Sequence, residues 1–222
     1  MSIYSRLLRL YHTNMLKTPL EDFTTEILAG ILGTYPDIGD AFAQRVLRLD
    51  GEHFSFTTQE HHKSPDAQFA DCRVDLVVRA EGLVCFVESK IESREGYLQL
   101  ERYARVLDEL AIDKKAYLKY CTKYYDAKLM TYHEFHQFRW AEVYRFLSAW
   151  NSSEVIKHFL DFLNEHDMSD NMDFNVGDLM TMQGLNPTVK KMDRYLEKVR
   201  QVFNHHFATA RVKDSANLRL TE

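Results

Sequence analysis

Residues 73–103 read RVDLVVRAEGLVCFVESKIESREGYLQLERY, and this stretch decides the fold. Two apolar, β-branched runs, 74–78 and 83–88, flank Glu81-Gly82, a two-residue turn with glycine where a positive φ is easily reached. A hairpin closed there pairs Ala80 with Leu83, Val77 with Phe86, and Asp75 with Glu88. The two carboxylates then face each other with Cβ atoms roughly 5 Å apart. Alternation puts Asp75, Val77, Glu88 and Lys90 on one face, and Val74, Leu76, Cys85 and Val87 on the other. Charges inside apolar strands are costly unless they are paired or bind a metal. Facing carboxylates repel unless a cation or a shared proton intervenes. Hard oxygen ligands with room for water suit Mg²⁺ or Mn²⁺. Lys90, two residues past Glu88, is placed to polarise a water and to offset charge on a phosphate. Ser93 then caps an expected helix from Arg94 to about Leu110, with Leu100, Tyr103, Leu107 and Leu110 as its buried stripe. Gln99 and Tyr103 stand at i and i+4 on one side of it.

Working outward, Thr18-Pro19-Leu20-Glu21 is a strong helix start: a Thr N-cap, Pro at the first position, and Glu completing a capping box. The helix is expected to end near Gly33, with Leu20, Phe23, Ile27, Leu28, Ile31 and Leu32 as its stripe. Glu21 lies roughly 80° from the stripe centre and Glu26 roughly 140°. Glu21 can therefore look into a site at the core's edge, while Glu26 belongs in solvent. Residues 41–49 fit helix or strand. Residues 54–59 alternate as a strand, and 60–71 read as a polar loop. Residues 116–121 are a further strand, and 138–140 a short one leading into a helix over 141–150. From Asn151 only helices are expected: 153–166, 176–183, and 186–207 with a stripe through Met192, Tyr195, Val199 and Phe203. The result is an α/β protein with a mixed sheet over residues 1–150 and a helical C-terminal extension over 151–222.

The composition is that of an ordinary soluble protein, 45% hydrophobic and 27% charged, with a net charge of −5. Such a chain is not a general polyanion binder; a nucleic-acid partner must be held by a local basic patch or a metal. The three cysteines, Cys72, Cys85 and Cys121, lack metal-ligand spacing, and with no signal-peptide pattern they fit a reducing cytoplasm. There is no apolar run long enough to span a membrane. No Gly-rich phosphate loop, G-x-S-x-G elbow or dinucleotide fingerprint is present. His61-His62, His133-x-x-His136 and His205-His206 lack a cysteine or acidic framework for zinc.

The chemistry-bearing residues resemble the PD-(D/E)XK nuclease superfamily, with Asp75 as the aspartate of strand two and Glu88-Ser89-Lys90 as the E-x-K of strand three. Gln99-x-x-x-Tyr103 resembles the Q-x-x-x-Y motif of its RecB-like members, and Glu21, ahead of Glu26, resembles the first-helix glutamate. The resemblance covers about residues 15–150 and implies a restriction-endonuclease-like core: helix, three-strand meander, helix, strand. It also implies that Asp75, Glu88 and the Ser89 carbonyl bind Mg²⁺ or Mn²⁺, with Glu21 reaching it through water. Lys90 would act on the attacking water, and Gln99 and Tyr103 would position the site or the nucleic-acid backbone. The activity implied is a metal-dependent endonuclease, on DNA ahead of RNA, with phage defence or DNA repair as its setting by analogy. The literal Pro65-Asp66 dipeptide lies in an expected loop, so Asp75 is preferred to Asp66 and Asp71.

Plainer readings stand beside this one. Asp75, Glu88 and Lys90 could be a structural ion-pair cluster, Glu21 a capping residue, and Tyr103 plain core. Lys63, Arg73, Arg94 and Arg102 could meet phosphates or be surface charge. A non-catalytic module binding nucleic acid or protein on the same fold is the alternative function. Residues 151–222 are the expected surface for a second copy or a partner protein.

Overall fold

A computed structural model describes residues 3–12, 20–65, 69–124, 126–169, 187, 190–197 and 199–200 of the 222-residue chain. Its elements are α1 (Ile3–His12), α2 (Leu20–Thr34), α3 (Pro36–Arg45), β1 (Ser55–His62), β2 (Cys72–Ala80), β3 (Leu83–Lys90), α4 (Gln99–Leu110), β4 (Lys115–Thr122), β5 (His136–Arg139), α5 (Trp140–Ser148) and α6 (Glu154–Glu165). The strands form one sheet in the order β1-β2-β3-β4-β5. The pairs β1/β2 and β2/β3 are antiparallel, and β3/β4 and β4/β5 are parallel. The mixed α/β sheet expected from the sequence is therefore present.

The hairpin register follows its turn. Gly82 has φ 65°, and Ala80 pairs with Leu83, Val77 with Phe86, and Leu76 with Val87. β3 is buried along nearly its whole length because helices cover both faces of the sheet. One face carries Leu76, Val78, Cys85, Val87, Tyr117 and Cys121 under α2, α3, α5 and α6. The other carries Val77, Val84, Phe86, Leu118 and Tyr120 under Leu100, Tyr103, Ala104, Val106 and Leu107 of α4. The α4 stripe thus includes Val106, whereas Leu110, expected inside, is 38% exposed.

One open alternative is settled and two local expectations change. Residues 36–45 are helical, with Pro36 supplying the fixed φ of a first helical turn. β1 runs on to His62, into the expected polar loop. α4 begins at Gln99 rather than Arg94, after Leu98 at φ 48°. Ser93 does not cap it.

The chain parts into two compact units, Met1–Asn171 and Met172–Glu222. α6 lies in the first, where Ile156, Phe159, Phe162 and Leu163 are fully buried. Each such side chain contributes about 1.5–3 kcal/mol relative to exposure. In the second unit, residues 190–197 are helical, and Met192, Tyr195 and Val199 are exposed. Thr18 and Pro19, the expected helix over 176–183, Phe203, His205-His206 and Asp66 lie outside the described residues.

Candidate active site

The site forms where β1 and β2 stop following simple alternation. Cys72 and Val74 pack on the α4 face, while Leu76 and Val78 pack on the opposite face. Even-numbered residues of β2 thus change sides across Asp75. β1 does the same across Gln59: Phe56 packs on the α2 face, but the His62 ring lies 4.8 Å from Phe86 on the α4 face. Gln59 has φ 53°, and pairing passes from Thr58↔Leu76 to Glu60↔Val74 without joining Gln59 to Asp75. Val74 is consequently not on the face that a regular strand predicts. The expected Asp75–Glu88 backbone pair is replaced by a side-chain contact: Asp75 Oδ2 accepts the Ser89 N–H at 2.9 Å.

Glu88 is fully buried. The Lys90 ammonium lies 2.5 Å from its Oε1, and the Tyr103 hydroxyl is also beside it, yet neither carboxylate oxygen has a well-aligned hydrogen bond. Burial, and then the charge of Asp75, push its pKa up to about 8, only partly offset by Lys90. Burial also pushes Asp75 up, against the Ser89 N–H and Lys90. Lys90 Nζ also lies 3.4 Å from Glu21 Oε1. Burial lowers the Lys90 pKa, but the neighbouring Glu88, Glu21 and Asp75 outweigh it, so Lys90 is held as an ammonium.

Glu21 reaches this group from α2, as its helical angle predicts. Its Oε2 accepts the Ile91 N–H at 3.0 Å, and both oxygens are within hydrogen-bond reach of the Ser93 hydroxyl. Burial opposes its ionisation, but the Ile91, Ser93 and Lys90 contacts together hold its pKa below the usual range. The carboxylate expected in a capping box thus closes onto the end of β3. Glu26 is exposed and accepts a hydrogen bond from Thr58.

From the other face, α4 supplies a chain of hydrogen bonds. Gln99 Oε1 accepts the Gly96 N–H at 3.1 Å, Gln99 Nε2 donates to the Tyr103 hydroxyl at 3.1 Å, and that hydroxyl donates to the Arg73 carbonyl at 2.5 Å. Burial, then the Glu88 charge, raise the Tyr103 pKa, so its hydroxyl stays neutral. The i, i+4 pair is therefore tied to β2 just before Asp75. Glu21, Asp75, Glu88, Lys90 and Tyr103 gather at one place, with Gln99 behind Tyr103 and the Ser89 backbone beside Asp75.

Sequence reasoning missed Ser93 and Ile91 as partners of Glu21, and Tyr120, which is next to Glu88 in the parallel register. Tyr120 donates to Asp126 Oδ2 at 2.8 Å, and Asp126 pairs with Lys128 at 3.1 Å. Of the flanking cations, Arg73 pairs with Asp22 at 3.2 Å, Arg102 donates to the carbonyls of Ala70 and Asp71, and Lys63 and Arg94 are exposed. Asp71 is exposed and accepts the Ser64 N–H. His62 pairs with Glu60 at 3.1 Å, and His133 with Asp108 at 3.0 Å.

Among the described residues, no three His, Cys, Asp or Glu side chains are closed up to metal-binding spacing. The donors nonetheless suit a hard divalent cation. They are carboxylate oxygens, and the buried Glu88 oxygens lack well-formed hydrogen bonds. The Lys90 ammonium meets the same demand for positive charge in this structure.

A family profile described as the PD-(D/E)XK nuclease superfamily matches residues 52–158. No curated protein matches the chain. A solved structure, that of a protein of unknown function designated AF1548, is similar at 14% identity, covering 60% of this chain and 79% of that one, with a TM-score of 0.27. The mixed five-stranded sheet with helices on both faces is a restriction-endonuclease-like core. Through the segment holding β1 to β5, the chain belongs to the PD-(D/E)XK nuclease superfamily.

Proposed function

We propose that this protein is a Mg²⁺- or Mn²⁺-dependent endonuclease that hydrolyses phosphodiester bonds in DNA. One observation carries the reading: Glu88 is fully buried beside Asp75, Glu21 and Lys90, and its oxygens lack well-formed hydrogen bonds. A purely structural cluster is expected to balance its buried charges, whereas here the carboxylates of Glu21, Asp75 and Glu88 all converge on the Lys90 ammonium. Asp75, Glu88 and the Ser89 carbonyl would hold the metal, with Glu21 behind them. When bound, the metal lowers the pKa of a water nucleophile and neutralises charge on the scissile phosphate.

The chain's own residues do the rest. Lys90, held as an ammonium, donates to the attacking water and offsets the negative charge growing on the phosphate. Glu21, fixed by Ile91 and Ser93, keeps Lys90 from swinging into solvent. The Gln99–Tyr103–Arg73 chain fixes the backbone next to Asp75. It also places a neutral hydroxyl, rather than a second charge, beside Glu88.

The test is incubation with Mg²⁺ or Mn²⁺ and closed circular single-stranded and duplex DNA, with RNA alongside. Cutting of circles by the wild type is expected, with a loss of roughly a hundredfold or more in Asp75→Ala and Lys90→Ala. Wild type that cuts nothing, or variants that cut equally well, would overturn the proposal.

A further inference from the structure

The proposed chemistry leaves an aromatic rim unused. Tyr97 is 87% exposed and Tyr124 is 61% exposed. Tyr97 sits between Gly96, whose N–H is held by Gln99, and Gln99 itself. Tyr124 lies two residues past Thr122, the register partner of Lys90, and the intervening Lys123 N–H donates to the Lys90 carbonyl at 2.9 Å. Both rings therefore stand on the loops that leave the carboxyl ends of β3 and β4, where Glu88 and Lys90 also lie. Lys123 Nζ is 4.9 Å from the centre of the Tyr124 ring, a cation–π contact that steadies one face.

Arg94 is exposed near Tyr97, but the other cations nearby are matched by acids rather than left open as on a duplex-binding surface. Arg73 pairs with Asp22 at 3.2 Å, Lys123 with Glu92 at 2.7 Å, and Lys128 with Glu95 at 2.9 Å and Asp126 at 3.1 Å. The whole chain carries a net charge of −5. Duplex DNA is gripped chiefly by cations that neutralise its phosphates. An unpaired strand offers bare base faces, and stacking on an aromatic ring supplies affinity that paired cations do not.

We propose that Tyr97 and Tyr124 stack on bases flanking the scissile phosphate, so that the site takes a single-stranded or locally unpaired nucleic acid in preference to intact duplex. The location of the strand rests on the nuclease reading of the site; the binding test does not require cutting. The full chain carrying Lys90→Ala is titrated, by fluorescence polarisation, into labelled oligothymidylate and into a labelled duplex of equal length. Tighter binding of oligothymidylate is expected. Adding Tyr97→Ala or Tyr124→Ala should weaken it roughly tenfold each, and Tyr→Phe at either position should restore it while duplex binding stays unchanged. Equal or tighter duplex binding, no binding of either probe, indifferent alanine variants, or phenylalanine variants as weak as alanine would each overturn the proposal. Tyrosine-dependent strand binding in a chain whose wild type never cuts would support the stacking and overturn the nuclease reading. Cutting of duplex with unchanged rates in both alanine variants would do the reverse.

Discussion

Asp75 Oδ2 accepts the backbone N–H of Ser89 at 2.9 Å, a side chain taking the place of a ladder partner at the end of the β2/β3 pairing. The bond holds the carboxylate beside Glu88 and gives the Ser89 N–H an acceptor inside the protein. Asp75→Ala removes that acceptor and should cost about 1–3 kcal/mol of stability. Asp75→Asn keeps an oxygen acceptor but loses the charge. It should remain close to wild type in thermal denaturation while losing metal-dependent cleavage. An Asn variant as unstable as the Ala variant would show that the charge, not the hydrogen bond, holds this strand end.

Glu88 and Glu21 should respond to pH in opposite senses. The Glu88 pKa is raised in the folded protein to about 8 by burial and Asp75. The folded state therefore binds this proton more tightly than the unfolded chain, and stability falls as pH rises from about 4.5 through about 8. Glu88→Gln should stabilise the metal-free protein, little near pH 5 and by up to a few kcal/mol above pH 8. The Glu21 pKa is lowered, so its contribution is present above the unfolded value and lost as pH falls through the folded one. Glu21→Gln should therefore destabilise at neutral pH, and the difference from wild type should shrink in acid. Urea titrations in EDTA across pH read both. A Glu88→Gln gain that does not grow with pH would mean that the carboxylate is better satisfied than its surroundings suggest.

Tyr103→Phe deletes one hydroxyl and two hydrogen bonds, one from Gln99 and one to the Arg73 carbonyl. The ring keeps its edge-on contact with Phe86 at 6.0 Å, so the core stays filled. A loss of about 1–3 kcal/mol is expected, because the Arg73 carbonyl and the Gln99 amide lose a partner in a partly buried bond. Cleavage should fall further than stability alone accounts for, since the hydroxyl also borders Glu88. Comparing rates well below the melting temperature separates the two effects.

The hairpin register was legible because one glycine fixes it: Gly82 takes φ 65°, and every observed β2/β3 pair follows from that turn. Glu21 was legible for a similar reason, since a helix angle survives folding. The reversal of faces at Gln59 and Asp75 was not. Alternation arguments assume a regular strand, and a glutamine at φ 53° leaves no sign in the sequence. Ser93 looked like a helix cap because serine in front of a helical pattern usually is one. Tertiary structure gave its hydroxyl to Glu21 instead, and α4 starts only where Gln99 can turn back onto Gly96.

A last test concerns the packing that carries Glu21. Gly30 and Gly39 lie on the paired helices α2 and α3, yet a methyl group meets different surroundings at each. At Gly30 an added Cβ meets nothing within 4 Å, so Gly30→Ala should gain roughly 0.5–1 kcal/mol from helix propensity. At Gly39 the same carbon would lie 2.6 Å from the Leu32 carbonyl oxygen and 2.9 Å from the Phe56 ring. The ring can turn, but the carbonyl belongs to the backbone of α2 and can move only with that helix. Overpacking of this kind costs about 1–3 kcal/mol, which exceeds the propensity gain. Gly39→Ala should therefore lower the melting temperature while Gly30→Ala raises it. The displaced α2 should also loosen the Glu21–Ile91 bond, so Gly39→Ala should lose cleavage activity in excess of its loss of folded protein. Equal stabilisation by both substitutions would mean that α3 stands off from α2 further than this contact requires.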